Sequence, residues 1–268
     1  MPSEVILESK AVSKRFGNFT AVDQVSYQLS EGEAAGIIGP NGAGKSTFFN
    51  LLTGLYTPSS GKIICYGRDV TRLRAEQRVR LGVVRTFQLV SVFDTLPVLD
   101  NLVLAVARLD RKSGAAPSFL LGSAHPKATV DRCHAALDRV GIRHLAGEMT
   151  ARLSYGDKRK LEIAMALALE PRVLLLDEPL AGLSDAEIRE ILALIREVRK
   201  ELTLVIIEHK ISRIVELVSR LSVMHEGKLI ADGLPEQVLA DPLVRQVYWG
   251  TDSTRRFSGL SAEASAGA

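Results

Sequence analysis

One octapeptide constrains this chain more than any other feature. Residues 39–46 read GPNGAGKS, a match to G-x-x-x-x-G-K-[ST]. Before it stands AAGIIG (34–39), a short apolar run that reads as a buried strand. After it comes a helical pattern with Phe48, Leu51 and Leu52 on one face. This strand–turn–helix setting is what a phosphate-binding loop requires. Gly39, Pro40, Asn41, Gly42, Ala43 and Gly44 would wrap closely around a polyphosphate, with backbone N–H groups and the positive helix end facing the anion. Lys45 would reach the β- and γ-phosphates. Ser46 would offer its hydroxyl to Mg²⁺, with Thr47 beside it.

The rest of the chain supports an α/β class. VILE (5–8) and VSYQL (25–29) read as strands, as do the buried runs VVRTF (83–87), VLLLD (173–177) and LTLVII (202–207). Helical patterns alternate with them. The helix expected over 185–200 carries Ile188, Ile191, Leu192, Ile195 and Val198 as its apolar stripe. Such alternation predicts a largely parallel sheet. From about 89 to 149 the patterns are helical only, so a helical subdomain is expected as an insertion in the α/β core. Residues 113–126 read as a loop and 251–268 as a disordered tail, from their small and polar composition.

Composition excludes several classes. Lys plus Arg number 34 against 31 Asp plus Glu, a net charge of +3, too weak to indicate a nucleic-acid partner. Aromatics are 5%, too few for a base-stacking surface. The longest stretch without Asp, Glu, Lys or Arg is 46–61, and it contains Ser, Thr, Asn and Pro. A membrane-spanning helix needs about 20 apolar residues. The N-terminus MPSEVILESK has acids where a signal peptide has a basic start, so a cytoplasmic location is expected. Cys65 and Cys133 stand in no metal-ligand spacing and read as packing residues.

A second constellation suits the loop. VLLLDEP (173–179) is an apolar strand ending in two carboxylates. Asp177 falls where parallel strands present ligands and can hold Mg²⁺, while Glu178 can accept a proton from an attacking water. LSYGD (153–157) then opens a helix with Leu161, Ala164, Met165, Ala168 and Leu169 as its expected inner stripe. Ser154 with Asp157 also reads as a capping box.

Here the sequence resembles the ATP-binding cassette ATPases, whose hallmark at this place is LSGGQ. The order agrees: phosphate loop, Gln88 in RTFQ, LSYGD, VLLLDEP, and His209 in IIEHK, over about residues 4–250. The resemblance implies a P-loop NTPase cassette with a mainly parallel sheet core, an N-terminal antiparallel β portion and a helical subdomain inserted at about 89–170. It implies that ATP binds with Mg²⁺. Glu178 would be the base, His209 the γ-phosphate switch, and Gln88 a sensor of Mg²⁺ and phosphate that touches a membrane partner. Ser154 and Gly156 would contact ATP held by the other subunit of a dimer. Phe16, a core residue by its own pattern, would stack on adenine. Tyr155 and Asp157 depart from the family's Gly and Gln, and Ser184 in AGLS (181–184) replaces a common Asp. Ser184 with Glu187 reads equally as a capping box.

Finer features resemble the importers of branched-chain and other hydrophobic amino acids. These are the GVVRTFQLVSVFDTLPVLDNLVLA segment, the 113–126 insertion, YGDKRKLEIA, DEPLAGLS and the ending DPLVRQVYWG. That resemblance implies a second ATPase subunit, two permease subunits and a periplasmic or extracellular binding protein. The chain would then sit on the inner face of the membrane through its permeases. A related exporter ATPase, such as that of lipopolysaccharide transport, and a soluble non-transport cassette are the alternatives.

Overall fold

Alternation along the central strands decides the layering. In the computed structural model, which describes residues 4–86, 91–110, 126–209 and 211–249, strand β7 spans Val173–Asp177 and β8 spans Thr203–Ile207. Leu174 and Leu176 face one apolar cluster, as do Leu204 and Ile206; Val173, Leu175, Val205 and Ile207 face another. A period of two puts successive side chains on opposite faces. With both faces apolar, the strands must be covered on both sides, which is why they read as continuous hydrophobic runs.

These strands belong to a six-stranded sheet. Its other members are β3 (Ala34–Ile38), β6 (Val83–Arg85), β9 (Arg220–His225) and β10 (Lys228–Gly233), in the order β10-β9-β3-β8-β7-β6. Pairings are parallel except β10 with β9. A second, antiparallel sheet has the order β2-β1-β4-β5 and is built from β1 (Val5–Phe16), β2 (Phe19–Ser30), β4 (Ser60–Cys65) and β5 (Arg68–Asp69). Gly17, at φ +58° in the two-residue turn between β1 and β2, supplies the positive φ that a tight hairpin demands. The fold is therefore the α/β cassette with an antiparallel N-terminal sheet.

Helix α1 (Lys45–Leu52) lies between the sheets. Phe48, Phe49, Leu51 and Leu52 are fully buried against Leu7, Val22 and Leu29 of one sheet and Ile37, Leu175 and Val205 of the other. Each such side chain contributes roughly 1.5–3 kcal/mol by burial, so the loop leading into α1 rests on a firmly held element. The opposite face of the large sheet carries α3 (Val98–Asp110), α4 (Lys127–Arg139), α5 (Tyr155–Ala168) and α6 (Asp185–Val198) in one continuous core. The stripe of α6 is buried as its periodicity requires.

Helix α5 departs from the one-sided expectation. Ile163, Ala166 and Leu167 are buried as well as Leu161, Ala164 and Ala168, because α3 and α4 cover the side that the sheet layer does not. A buried Arg159–Glu162 ion pair at 2.6 Å lies within it. Short helices α2 (Ala75–Val79), α7 (Ile211–Ile214), α8 (Pro235–Ala240) and α9 (Pro242–Trp249) are the remaining α-helices among the described residues. Cys65 and Cys133 are both buried, packing residues as expected. Among the described residues no helix is long and apolar enough to cross a membrane. Gln88, most of the 113–126 loop and the 251–268 tail lie outside the described residues.

Candidate nucleotide site

The loop between β3 and α1 is shaped by backbone crowding. Gly44, the residue capping α1, sits at φ +97°, and a Cβ there would lie 2.4 Å from Ala21 O. A Cβ on Gly39 would lie 2.3 Å from Met224 O. Gly42 needs only its φ of +80°, since nothing stands within 4 Å of where its Cβ would be. The Gly227 N–H donates to Ala43 O at 3.0 Å, tying the loop to the β9–β10 turn. Asn41, Gly42 and Ser46 are exposed, Pro40 and Thr47 half-buried, so the mouth of the loop is open.

Lys45 is buried, and its ammonium donates to Gly39 O at 2.7 Å and Pro40 O at 3.1 Å. Burial pushes its pKa down, while Glu178 and Asp177 pull it up. That opposition places the ammonium in the field of both carboxylates. The β7 strand ends beside β8 with Asp177 opposite Ile207, so sheet register carries the acidic pair to the C-terminal edge, where β3 also delivers its loop.

Asp177 is almost wholly buried. Its Oδ2 accepts from the Arg85 guanidinium, which also donates to Asn50 of α1. Burial raises the Asp177 pKa despite Arg85. Its Oδ1 is buried without a hydrogen-bond partner. A buried acceptor left unpaired costs free energy, so this oxygen suits a hard cation. Among the described residues no cluster of three His, Cys, Asp or Glu could hold a metal. Mg²⁺ fits such sparse ligation, because it takes one or two protein oxygens and completes its shell with phosphates and water.

Glu178 adopts φ +49°, uncommon for a side-chain-bearing residue. Its N–H donates to Ile207 O at 2.9 Å, and its Oε1 lies 2.7 Å from His209 Nε2. Glu208, buried, accepts from Leu180 N–H at 2.8 Å and so pins the turn after Glu178. Phe16 ends β1 and is 45% exposed, which removes the core reading. Its ring meets Tyr56 edge-on at 5.5 Å.

Ser154 and Gly156 form a second group, at the N-terminus of α5. The Ser154 hydroxyl caps the helix by accepting from Asp157 N–H at 3.0 Å. The expected reciprocal half of the box takes a different form: Asp157 Oδ2 accepts from the Ser154 hydroxyl at 2.8 Å, not from its backbone. The Gly156 N–H donates to Glu187 Oε1 at 3.0 Å. Ser184 and Glu187 do form a full capping box on α6. Gln88, the remaining expected residue, lies outside the described residues. Sequence reasoning missed Arg85, Glu208, Tyr56 and the Gly156–Glu187 link. For Arg85 the only signal was its place as the first residue of the RTFQ run.

Comparison with known proteins follows the geometry. The family described as ABC transporter matches residues 22–181. The high-affinity branched-chain amino acid transport ATP-binding protein LivG of Salmonella typhimurium is 38% identical over 253 residues, covering 92% of this chain and 99% of LivG. The lipopolysaccharide export system ATP-binding protein LptB of Acidithiobacillus ferridurans is 33% identical, covering 91% of this chain and 97% of LptB. Among solved structures, the ADP conformation of MJ1267, an ATP-binding cassette of an ABC transporter, aligns with TM-score 0.80 and 31% identity, covering 92% of this chain and 100% of that one.

Proposed function

The chain belongs to the ABC transporter family of ATP-binding proteins, an ATP hydrolase, and from that premise we propose that it powers an importer for branched-chain or other hydrophobic amino acids. The observation that carries the finer reading is end-to-end similarity to LivG at 38% identity, above the 33% to LptB. The expected partners are a second cassette, two permease subunits and a binding protein outside the membrane, with this chain on the cytoplasmic face.

The residues divide the work as follows. The loop from Gly39 to Gly44 cradles the phosphates, and Lys45 leaves its carbonyl partners to pair with the β- and γ-phosphates. Phe16 stacks on the base from its exposed position. Ser46 and Asp177 Oδ1 would hold Mg²⁺, with Gln88 a further sensor. When bound, the ion neutralises charge on the transferring phosphoryl group. Glu178 takes a proton from the attacking water, and His209, hydrogen-bonded to it, orients the carboxylate and reaches the γ-phosphate. Ser154 and Gly156 meet ATP held by the facing cassette. Two nucleotides then close the dimer, and hydrolysis reopens it, as a ligand with different affinity for two states must do.

Coupling to the permease has a support in the fold. Phe93 is 56% exposed, yet its backbone is fixed by fully buried Asn101, which accepts from Phe93 N–H at 2.7 Å and donates to Phe93 O at 3.2 Å. A rigidly held, exposed aromatic suits a docking contact.

Transport is the test. The chain, reconstituted in vesicles with its second cassette, permease subunits and binding protein, should drive ATP-dependent uptake of labelled leucine. Binding protein loaded with leucine should raise ATP turnover. Lipopolysaccharide release without leucine uptake would overturn the importer reading in favour of the exporter.

A further inference from the structure

One carboxylate joins two helix N-termini in this chain. Glu187 Oε2 accepts from the Ser184 N–H at 2.9 Å and the Ser184 hydroxyl at 2.7 Å, while Oε1 accepts from the Gly156 N–H at 3.0 Å. Gly156 is buried, and a Cβ on it would lie 2.6 Å from Oε1, so glycine is what lets the carboxylate approach. A second contact runs the same way. A Cβ on Gly182 would lie 3.0 Å from Tyr155 Cε1, so the aromatic ring leans over the 181–184 turn. Tyr155 and Gly156 thus both bind the start of α5 to the start of α6. The hydrogen bonds from Ser184, with a smaller one from Gly156, hold the Glu187 carboxyl below its ordinary pKa, so it is ionised at neutral pH.

A helix-capping role accounts for only half of this. In a capping box the N3 carboxylate serves its own N-cap residue, here Ser184 through Oε2. Oε1 reaches a residue 31 positions earlier, on another helix.

We propose that Glu187 is a positioning residue that locks the Ser154–Gly156 surface to the 181–184 turn, so that the two advance on a facing subunit as one body. The proposal rests on the reading that Ser154 and Gly156 engage ATP across a cassette dimer. Loss of the lock leaves the phosphate loop of the same chain untouched, so ATP binding to the single chain and closure of the dimer respond differently.

Glu187→Gln separates the two roles. Its one carbonyl oxygen can keep the cap on Ser184, since Gln also serves at N3, but the amide NH₂ cannot accept from Gly156. Glu187→Ala removes both, and Ser184→Ala weakens the cap while leaving Oε1 in place. The first arm is amide hydrogen exchange at Gly156 in the full-length chain without nucleotide. Exchange should rise about tenfold or more in both Glu187 variants and stay within about twofold in Ser184→Ala. The second arm uses a Glu178→Gln background, with ATP affinity and ATP-induced dimerisation measured separately. Both Glu187 variants should weaken dimerisation about tenfold while ATP affinity of the single chain changes less than about twofold. Unchanged Gly156 exchange in both variants, or equal exchange in Ser184→Ala and Glu187→Ala, overturns the lock. Undiminished dimerisation with raised exchange overturns the positioning role. If the Glu178→Gln parent dimerises with ATP neither with itself nor with the second cassette, the cross-subunit reading falls and takes the positioning role with it, while the exchange arm still decides whether Glu187 makes the lock.

Discussion

His209 Nε2 stands 2.7 Å from Glu178 Oε1, although the two residues lie on the ends of different strands. Adjacent β7 and β8 end in register, and the Glu178 N–H to Ile207 O bond carries that register one residue beyond the sheet. Glu178→Gln should slow ATP hydrolysis by about 10²–10⁴-fold, the usual worth of a general base, with ATP affinity retained. His209→Ala should also lower turnover without loss of ATP affinity. Phosphate release and equilibrium nucleotide binding measure the two quantities. Near-wild-type turnover in Glu178→Gln would remove Glu178 from the role of base.

The Arg85–Asp177 ion pair is buried on both sides. Removing one partner of such a pair strands a charge and costs about 3–5 kcal/mol, whereas replacing both with apolar groups is often neutral. Arg85→Met should therefore lower stability to denaturant markedly, and Arg85→Met with Asp177→Leu should recover most of the loss. Additive losses in the double variant would show that the two charges do not compensate each other.

The phosphate loop offers a contrast between two glycines. At Gly42 an added Cβ meets open space, so Gly42→Ala should cost only the left-handed penalty, about 1–2 kcal/mol. At Gly44 the same methyl would press on Ala21 O, so Gly44→Ala should be far more damaging to stability. Thermal melts of the two variants decide the matter. Equal losses would mean that crowding does not shape the loop.

Phe16 is exposed and fills no core space, so Phe16→Ala should leave the melting temperature nearly unchanged. An aromatic stacking contact is worth about 0.5–1.5 kcal/mol, so ATP affinity should fall about 2- to 10-fold. Calorimetric titration showing no change would take Phe16 out of the adenine site.

The sequence by itself determined the central layer. The runs at 34–38, 173–176 and 204–207 carry no polar side chain because both faces of each strand are covered, and no exposed strand or surface helix gives that signal. The α6 stripe was legible for the same reason, since its burial is one-sided and follows the helical period. Local chemistry likewise announced the phosphate loop, the acidic pair and the Ser184–Glu187 cap. The structure alone revealed β4, β9 and β10 and the full length of β1. β1, β4 and β10 carry exposed Lys, Arg or Ser, β9 has the polar Arg220 and Ser222 among its apolar residues, and β1 and β2 are broken by register shifts and by positive φ at Ala11 and Gln24. Tertiary structure also decided that β3 lies between β8 and β9, that α5 is buried on two sides, and which atoms meet at the site. Arg85 with Asp177, Glu208 with Leu180 and Glu187 with Gly156 are pairs separated by 92, 28 and 31 residues. Each pairing follows from strand order and helix packing, which act between segments; a pattern confined to one segment carries no record of its neighbour.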